Sequence, residues 1–258
     1  EYLALLRDNR GTGVLPDLAE SLAPVSRGMA LQRMSTYTYR TPDYQLSGAQ
    51  DYHPTDWGTQ TRMWLATLDR DCYVFTSFPA VLGLAGDLSQ NFAGKWHGGY
   101  HPRATFDRNV GVIQYRLPGN PAVEDLLAAD RTHAFFPKDR FDEFLEGGSW
   151  VFGRKGDGYV ALASRNPARW ADDDPVEWVA DGTDNVFVVE LGRAADHGSF
   201  AAFTAAIRAA DLSFPDGGVS YDSPSLGRVE AAWEGPMTVN GVPVELGPFA
   251  RFDNAHVS

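Results

Sequence analysis

From Ser35 onward the hydrophobic period of this chain is two. In "STYTYRT" the hydroxyl residues Thr36 and Thr38 alternate with Tyr37 and Tyr39, the pattern of a half-buried strand. Further strand-like stretches follow at Tyr44–Ala49, Met63–Leu68, Cys72–Phe78, Asn109–Leu117, His133–Phe136 and Trp150–Arg154. The series continues with Tyr159–Ser164, Glu177–Ala180, Val186–Leu191, Gly218–Tyr221, Arg228–Trp233 and Met237–Val239. Turn residues punctuate them. "LDRDC" supplies Asp-rich turn chemistry, "RKGDGY" places glycines where a tight hairpin needs positive φ, and Asn240-Gly241 suits a type I′ turn. With 26 Gly, 16 Pro and 12% aromatic residues, the composition agrees with many short strands joined by turns. The 258 residues, 43% of them apolar, suffice for a sizeable core. The expected class is mainly β: a large antiparallel, supersandwich-like β-sandwich with a few short helices.

Residues 1–34 read differently. Tyr2, Leu3, Leu5 and Leu6 fit a short helix ending near Gly11, and "LPDLAESLAP" adds a turn or two before Pro24. The segment is expected to be a helical connector or the end of an upstream helical domain, and residues 35–258 the sandwich. Within the sandwich, Asn120-Pro121 reads as the start of a short helix. Asp139 would cap another that carries Phe141, Phe144 and Leu145 and stops at Gly147. The clearest helix is Ser199–Ala210, with Phe200, Phe203 and Ile207 on one face. "RWADDDPVEW" reads as a solvated loop; its three Asp lack calcium-loop spacing and glycine.

A net charge of −12 argues against a nucleic-acid partner, since phosphate contacts need clustered Lys and Arg. No run approaches the ~20 apolar residues of a membrane span, and "EYLALLRDNRG" lacks the basic n-region of a signal peptide. A soluble protein is expected, of undetermined compartment. The start at Glu1 rather than Met is expected of a processed protein or an excised fragment. The single Cys72 lies in the apolar run "CYVFTSF" and reads as a buried structural thiol.

Six histidines are present, none at metal-ligand spacing with a helix or with cysteines; no metal and no cofactor are expected. There is no GxSxG, P-loop or GxGxxG motif, which leaves hydrolase triads and nucleotide chemistry without sequence support. Two loop segments concentrate polar aromatic residues. One is "YRTPDYQLSGAQDYHPTDWGTQTRMW", Tyr39–Trp64; the other is "NFAGKWHGGYHPRATFDRN", Asn91–Asn109. Sugar rings stack on Trp and Tyr faces, sugar hydroxyls bond to Arg, Asn, Gln and His, and a uronate carboxylate needs Arg or Lys. The candidate substrate-binding residues are Tyr44, Gln60, Arg62, Trp96, His97, Tyr100 and Arg103. The candidate acid–base residues are Tyr52, His53 and His101. Plain packing of these aromatics over sheet edges is the competing reading.

The order "YRTPDYQLSGAQDY", "GTQTRMWLATL", "VFTSFP", "THAFFPKDRFDE", "GSWVFGRKGDGYVAL", "DNVFVVELGR", "GSFAAF", "YDSPSLG" and "ARFDN" resembles the C-terminal β-sandwich region of heparinase II/III-like polysaccharide lyase-related proteins. The resemblance implies an (α/α) toroid before the sandwich, and a glycan cleft between them. It also implies β-elimination at a uronate, with Tyr or His as base and acid and a cation or amide neutralising the carboxylate. The partners it implies are a poly- or oligosaccharide and a helical toroid, upstream or separate. Relatives are expected to carry a histidine near Arg62, so this chain departs at a polar cleft position. The rival readings are a non-catalytic carbohydrate-binding domain and a structural sandwich packed on a helical partner.

Overall fold

The computed structural model describes residues 34–58, 61–79, 95–116 and 130–246. The expected helices in residues 1–34 and at Asn120-Pro121 lie outside the described residues, Met34 excepted. Strands take 53% of the described residues. In chain order they begin with β1 (Ser35–Arg40), β2 (Gln45–Gln50), β3 (Trp57–Gly58), β4 (Trp64–Asp69), β5 (Cys72–Ser77), β6 (Gly99–Tyr100), β7 (Arg103–Asp107), β8 (Val110–Arg116) and β9 (Arg131–Phe135). Next come β10 (Glu143–Gly147), β11 (Trp150–Lys155), β12 (Gly158–Ser164), β13 (Ala168–Trp170), β14 (Glu177–Asp181) and β15 (Asp184–Arg193). Two α-helices, α1 (Ala194–His197) and α2 (Phe200–Ala209), precede β16 (Leu212–Ser213), β17 (Val219–Ser223), β18 (Gly227–Ala231), β19 (Thr238–Val239) and β20 (Val242–Pro243).

Every strand pair is antiparallel. A seven-stranded sheet runs β1-β2-β4-β5-β9-β14-β13, a six-stranded sheet β10-β11-β12-β15-β8-β7, and a five-stranded sheet β16-β17-β18-β19-β20. The first two pack face to face as a β-sandwich. Leu46, Trp64, Ala66, Val74, Ala134 and Phe136 from one sheet meet Phe106, Ile113, Tyr115, Leu162, Phe187 and Val189 from the other. The other face of the six-stranded sheet carries Val112, Phe152, Ala161, Ala163, Val186 and Val188. These pack against Phe203 and Ile207 of α2 and against Val219, Tyr221 and Val229 of the third sheet. The six-stranded sheet is therefore the middle of three layers. That explains why β12 and nearly all of β15 are buried without alternation. Successive side chains enter two different cores rather than one core and solvent.

Local chemistry explains several elements. Ser199 caps α2, its hydroxyl accepting from the Ala202 N–H at 3.1 Å, and Phe200, Phe203 and Ile207 are buried as their spacing predicts. Asn240 and Gly241 both take positive φ, joining β19 to β20 as a type I′ turn requires. Cys72 is buried, and burial pushes its thiol up to about 12. The expected helix after Asp139 is a correction. Only a single 3-10 turn, Lys138–Arg140, forms there, and Phe144 and Leu145 belong to β10. Pairing Glu143↔Arg154 and Phe144↔Gly153 gives the segment a full antiparallel ladder, which a helix of this length, marginal without packing, does not match. "RWADDDPVEW" contributes β13 and the start of β14 at its two ends.

A buried carboxyl sits in the middle layer. Glu190 in β15 is wholly buried and faces the third sheet, where it accepts from the hydroxyls of Tyr221 (2.6 Å), Ser223 (2.9 Å) and Ser225 (2.6 Å). Burial pushes its carboxyl up, and the three hydroxyl bonds only partly oppose that. A carboxyl raised in the fold contributes stability that is full below its ordinary value near 4.5 and is lost as pH rises through the folded value. Glu190→Gln is expected to abolish this part of the pH dependence. Urea unfolding at a series of pH values checks it: the difference in stability between wild type and variant should shift in favour of the variant as pH rises.

Candidate functional site

The two aromatic segments meet. The short strands β3 and β6 pair, Trp57↔Tyr100 and Gly58↔Gly99, and set the first loop against the second. Backbone bonds extend the junction: Thr55 N–H to His101 O and His101 N–H to Asp56 O, both 2.9 Å, and Gly98 N–H to Thr61 O at 3.1 Å. Tyr52 lies between two imidazoles, its ring centroid 4.8 Å from His53 and 5.6 Å from His101. His53 Nδ1 is 3.1 Å from Asp56 Oδ2. His101 is buried and bonds Thr61 Oγ1 through Nε2 at 3.3 Å. Burial lowers its basicity. Gly58 leaves the space for this ring, since a Cβ there would overlap His101 Nε2.

Strain is concentrated in the same loop. Asp51, His53 and Thr55 all take positive φ, at 50°, 45° and 74°. Three left-handed non-glycine residues in five positions, one of them β-branched, cost of order 1–3 kcal/mol each and persist where surrounding contacts impose them. The β3–β6 pairing and the His101 bonds are those contacts.

Arg62 follows Thr61 directly and opens the second half of the site. Its guanidinium lies 4.0 Å over the Phe75 ring and reaches the Trp96 carbonyl at 3.5 Å. Phe75 belongs to the face of the seven-stranded sheet that points away from the middle layer. There Tyr73, Phe75 and Ser77 of β5 alternate with Val74 and Thr76, which face the core. Phe135 stacks on Phe75 at 5.3 Å and on Tyr73 at 5.2 Å. The half-buried Trp96 stands edge-on to both phenylalanines and lies flat on His133, centroids 4.3 Å apart and planes 6° apart.

His133 joins a chain of side chains. Ser77 pairs with His133 across β5 and β9, and Glu177 lies on the diagonal across β14. Ser77 Oγ is 2.7 Å from His133 Nε2, and Nδ1 is 2.7 Å from Glu177 Oε1. The other Glu177 oxygen pairs with Lys95 at 2.5 Å, and Lys95 also reaches Asp174 at 2.9 Å. Burial holds His133 below its ordinary value, so it is neutral at pH 7. Burial alone would raise Glu177, but the bonds from His133 and Lys95 outweigh it and leave the carboxyl lowered and ionised. An ionised carboxylate only accepts, so Nδ1 carries the hydrogen and Nε2 accepts from the Ser77 hydroxyl.

The remaining sequence candidates fall as follows. Tyr100 packs edge-on against Trp57 and Phe78 beside the junction, and His97 is half-buried there with Nε2 unbonded among the described residues. Gln60 lies outside the described residues. Arg103 lines a cleft with Asp51, Pro54 and Thr55 of the strained loop, but its guanidinium is taken up by the carbonyls of Ala232, Trp233 and Gly235, tying β7 to the chain beyond β18. Tyr44 is buried and lines a different cleft, with Tyr39, Arg193 and His197. Sequence reasoning passed over Ser77 and Glu177, counted Lys95 only among the polar residues of the second aromatic segment, and read His133 only as a strand residue. The available signal was position: each lies on the alternate face of an otherwise apolar strand, or beside Trp96. Among the described residues no group of three His, Cys, Asp or Glu side chains could hold a metal ion. No helix among them is long and apolar enough to cross a membrane.

Compared with protein-family models, with curated proteins and with solved structures, the chain finds no match.

Proposed function

We propose that the chain is the β-sandwich portion of a carbohydrate-active, polysaccharide lyase-like protein that binds a uronate-containing glycan. The observation that carries this reading is the joining, through Thr61–Arg62, of the strained Tyr52–His53–Asp56 loop to the Arg62–Trp96 face. A sugar ring would stack on the Trp96 face opposite His133. Arg62 stays charged at all working pH and can take a carboxylate through two N–H groups. In β-elimination the proton beside the carboxylate passes to a base, the C–O bond to the leaving sugar breaks, and a ring double bond forms. His53, oriented by Asp56, and the Tyr52 hydroxyl are the groups for that proton traffic. His101, buried against Thr61, positions Tyr52 rather than touching substrate. The resemblance assigns further machinery to a helical toroid, so turnover belongs to the sandwich together with that domain.

The test is calorimetric binding of a uronate oligosaccharide and of the same oligosaccharide with its carboxyls reduced to alcohols. Arg62→Ala should weaken the acidic ligand tenfold or more, about 1.4 kcal/mol, and the neutral one far less. Trp96→Ala should weaken both. Wild-type protein that binds neither ligand, or variants that bind both as wild type does, would overturn the reading. Binding without release of unsaturated product, when the helical domain is present, would select the non-catalytic binding domain.

A further inference from the structure

We propose that Ser77, His133 and Glu177 form a nucleophilic site that cleaves small acyl esters. The three side chains stand in the order hydroxyl, imidazole, carboxylate, with 2.7 Å at each junction. Both ring nitrogens of His133 are committed to side chains, and the tautomer imposed by Glu177 leaves Nε2 to take the hydroxyl proton. Ser77 is the half-buried end of the chain, while His133 and Glu177 are buried. Trp96 covers the imidazole face, and Lys95 fixes the second carboxylate oxygen. All three members rise from neighbouring strands of one sheet, so their spacing is set by ladder register rather than by loops. The Arg62 guanidinium lies over Phe75, the next same-face position, about 7 Å along the strand.

The chemistry balances with an ester and water alone. Ser77 Oγ bonds to the acyl carbon as its hydrogen passes to His133 Nε2. The acyl C–O bond then breaks, and the alcohol departs with that hydrogen, leaving acyl-Ser77. Water gives a hydrogen to Nε2 and its oxygen bonds to the acyl carbon. Oγ leaves, recovers the hydrogen from the imidazole, and the carboxylic acid is released. That the natural ester is an O-acylated sugar rests on the glycan reading above; the nucleophilic site does not.

A fluorophosphonate probe and p-nitrophenyl acetate test the site on the intact protein. Peptide mass spectrometry should find the probe on Ser77. Ser77→Ala, which removes one oxygen, should abolish labelling and lower ester hydrolysis at least tenfold. Glu177→Gln, of nearly equal size, should slow labelling, and its pH profile should differ from wild type because the imidazole loses its ionised partner. An unlabelled Ser77 in folded wild-type protein would overturn the proposal, as would a folded Ser77→Ala variant hydrolysing the ester at the wild-type rate. Retained uronate binding beside an inert Ser77 would remove this site and leave the glycan reading. A labelled Ser77 without glycan binding would do the reverse.

Discussion

Phe203→Ala is expected to destabilise the protein by about 3–5 kcal/mol, the range for deleting a fully buried aromatic ring. Phe203 has no exposed surface. Its ring packs 5.6 Å from Tyr159 and 5.0 Å from His197 between centroids, and it lies on Gly192, where a Cβ would come within 2.7 Å of it. Glycine at 192 makes the slot that the ring fills, so truncation leaves a cavity that the flat sheet cannot close. Chemical denaturation should show a lower midpoint at unchanged m-value. Ala205→Ser on the exposed face of the same helix is the control, expected within half a kcal/mol. A loss of that small size for Phe203→Ala would mean that α2 does not seal the second core.

The second large effect is at the buried chain. Glu177→Ala is expected to cost about 3 kcal/mol near neutral pH, because it leaves the His133 N–H without its acceptor and removes one of two partners of Lys95. Its sign with pH follows from the lowered carboxyl. A carboxyl lowered in the fold contributes stability above its ordinary value near 4.5, and that contribution is lost as pH falls through the folded value. The penalty of Glu177→Ala should therefore be full near pH 7 and shrink in acid. Paired urea titrations at pH 7.5 and at acid pH measure it; a penalty that grows in acid would contradict the ionised assignment.

Much of the fold was legible because strands and turns are written locally. Period-two alternation marked β1, and Asn240-Gly241 marked the last hairpin. Phe200, Phe203 and Ile207 marked α2. The β10 segment was misread because Phe141, Phe144 and Leu145 fit a helical face as well as a strand, and only its partner β11 decides between them. The third layer was not legible either, since an apolar run such as "VFVVELG" does not say which two cores share it. At the site, composition pointed to the segments of Tyr52–Arg62 and Trp96–His101, which the structure joins. It could not assign partners: Arg103 reads like a ligand cation, but three carbonyls more than a hundred residues away claim it. The Ser77–His133–Glu177 chain was beyond any local window. Its members are 56 and 44 positions apart and meet only through strand register.

The most direct test of a glycan site at the Tyr52–Arg62 and Trp96–His101 junction is hydrogen exchange with and without a saturating uronate oligosaccharide. Protection should appear in peptides spanning 51–62 and 95–101, where ordering by the ligand slows local opening. Peptides of the third sheet and of α2 should be unchanged. Protection confined to those distant elements, or none at any peptide when calorimetry shows the ligand bound, would contradict a glycan site at this junction.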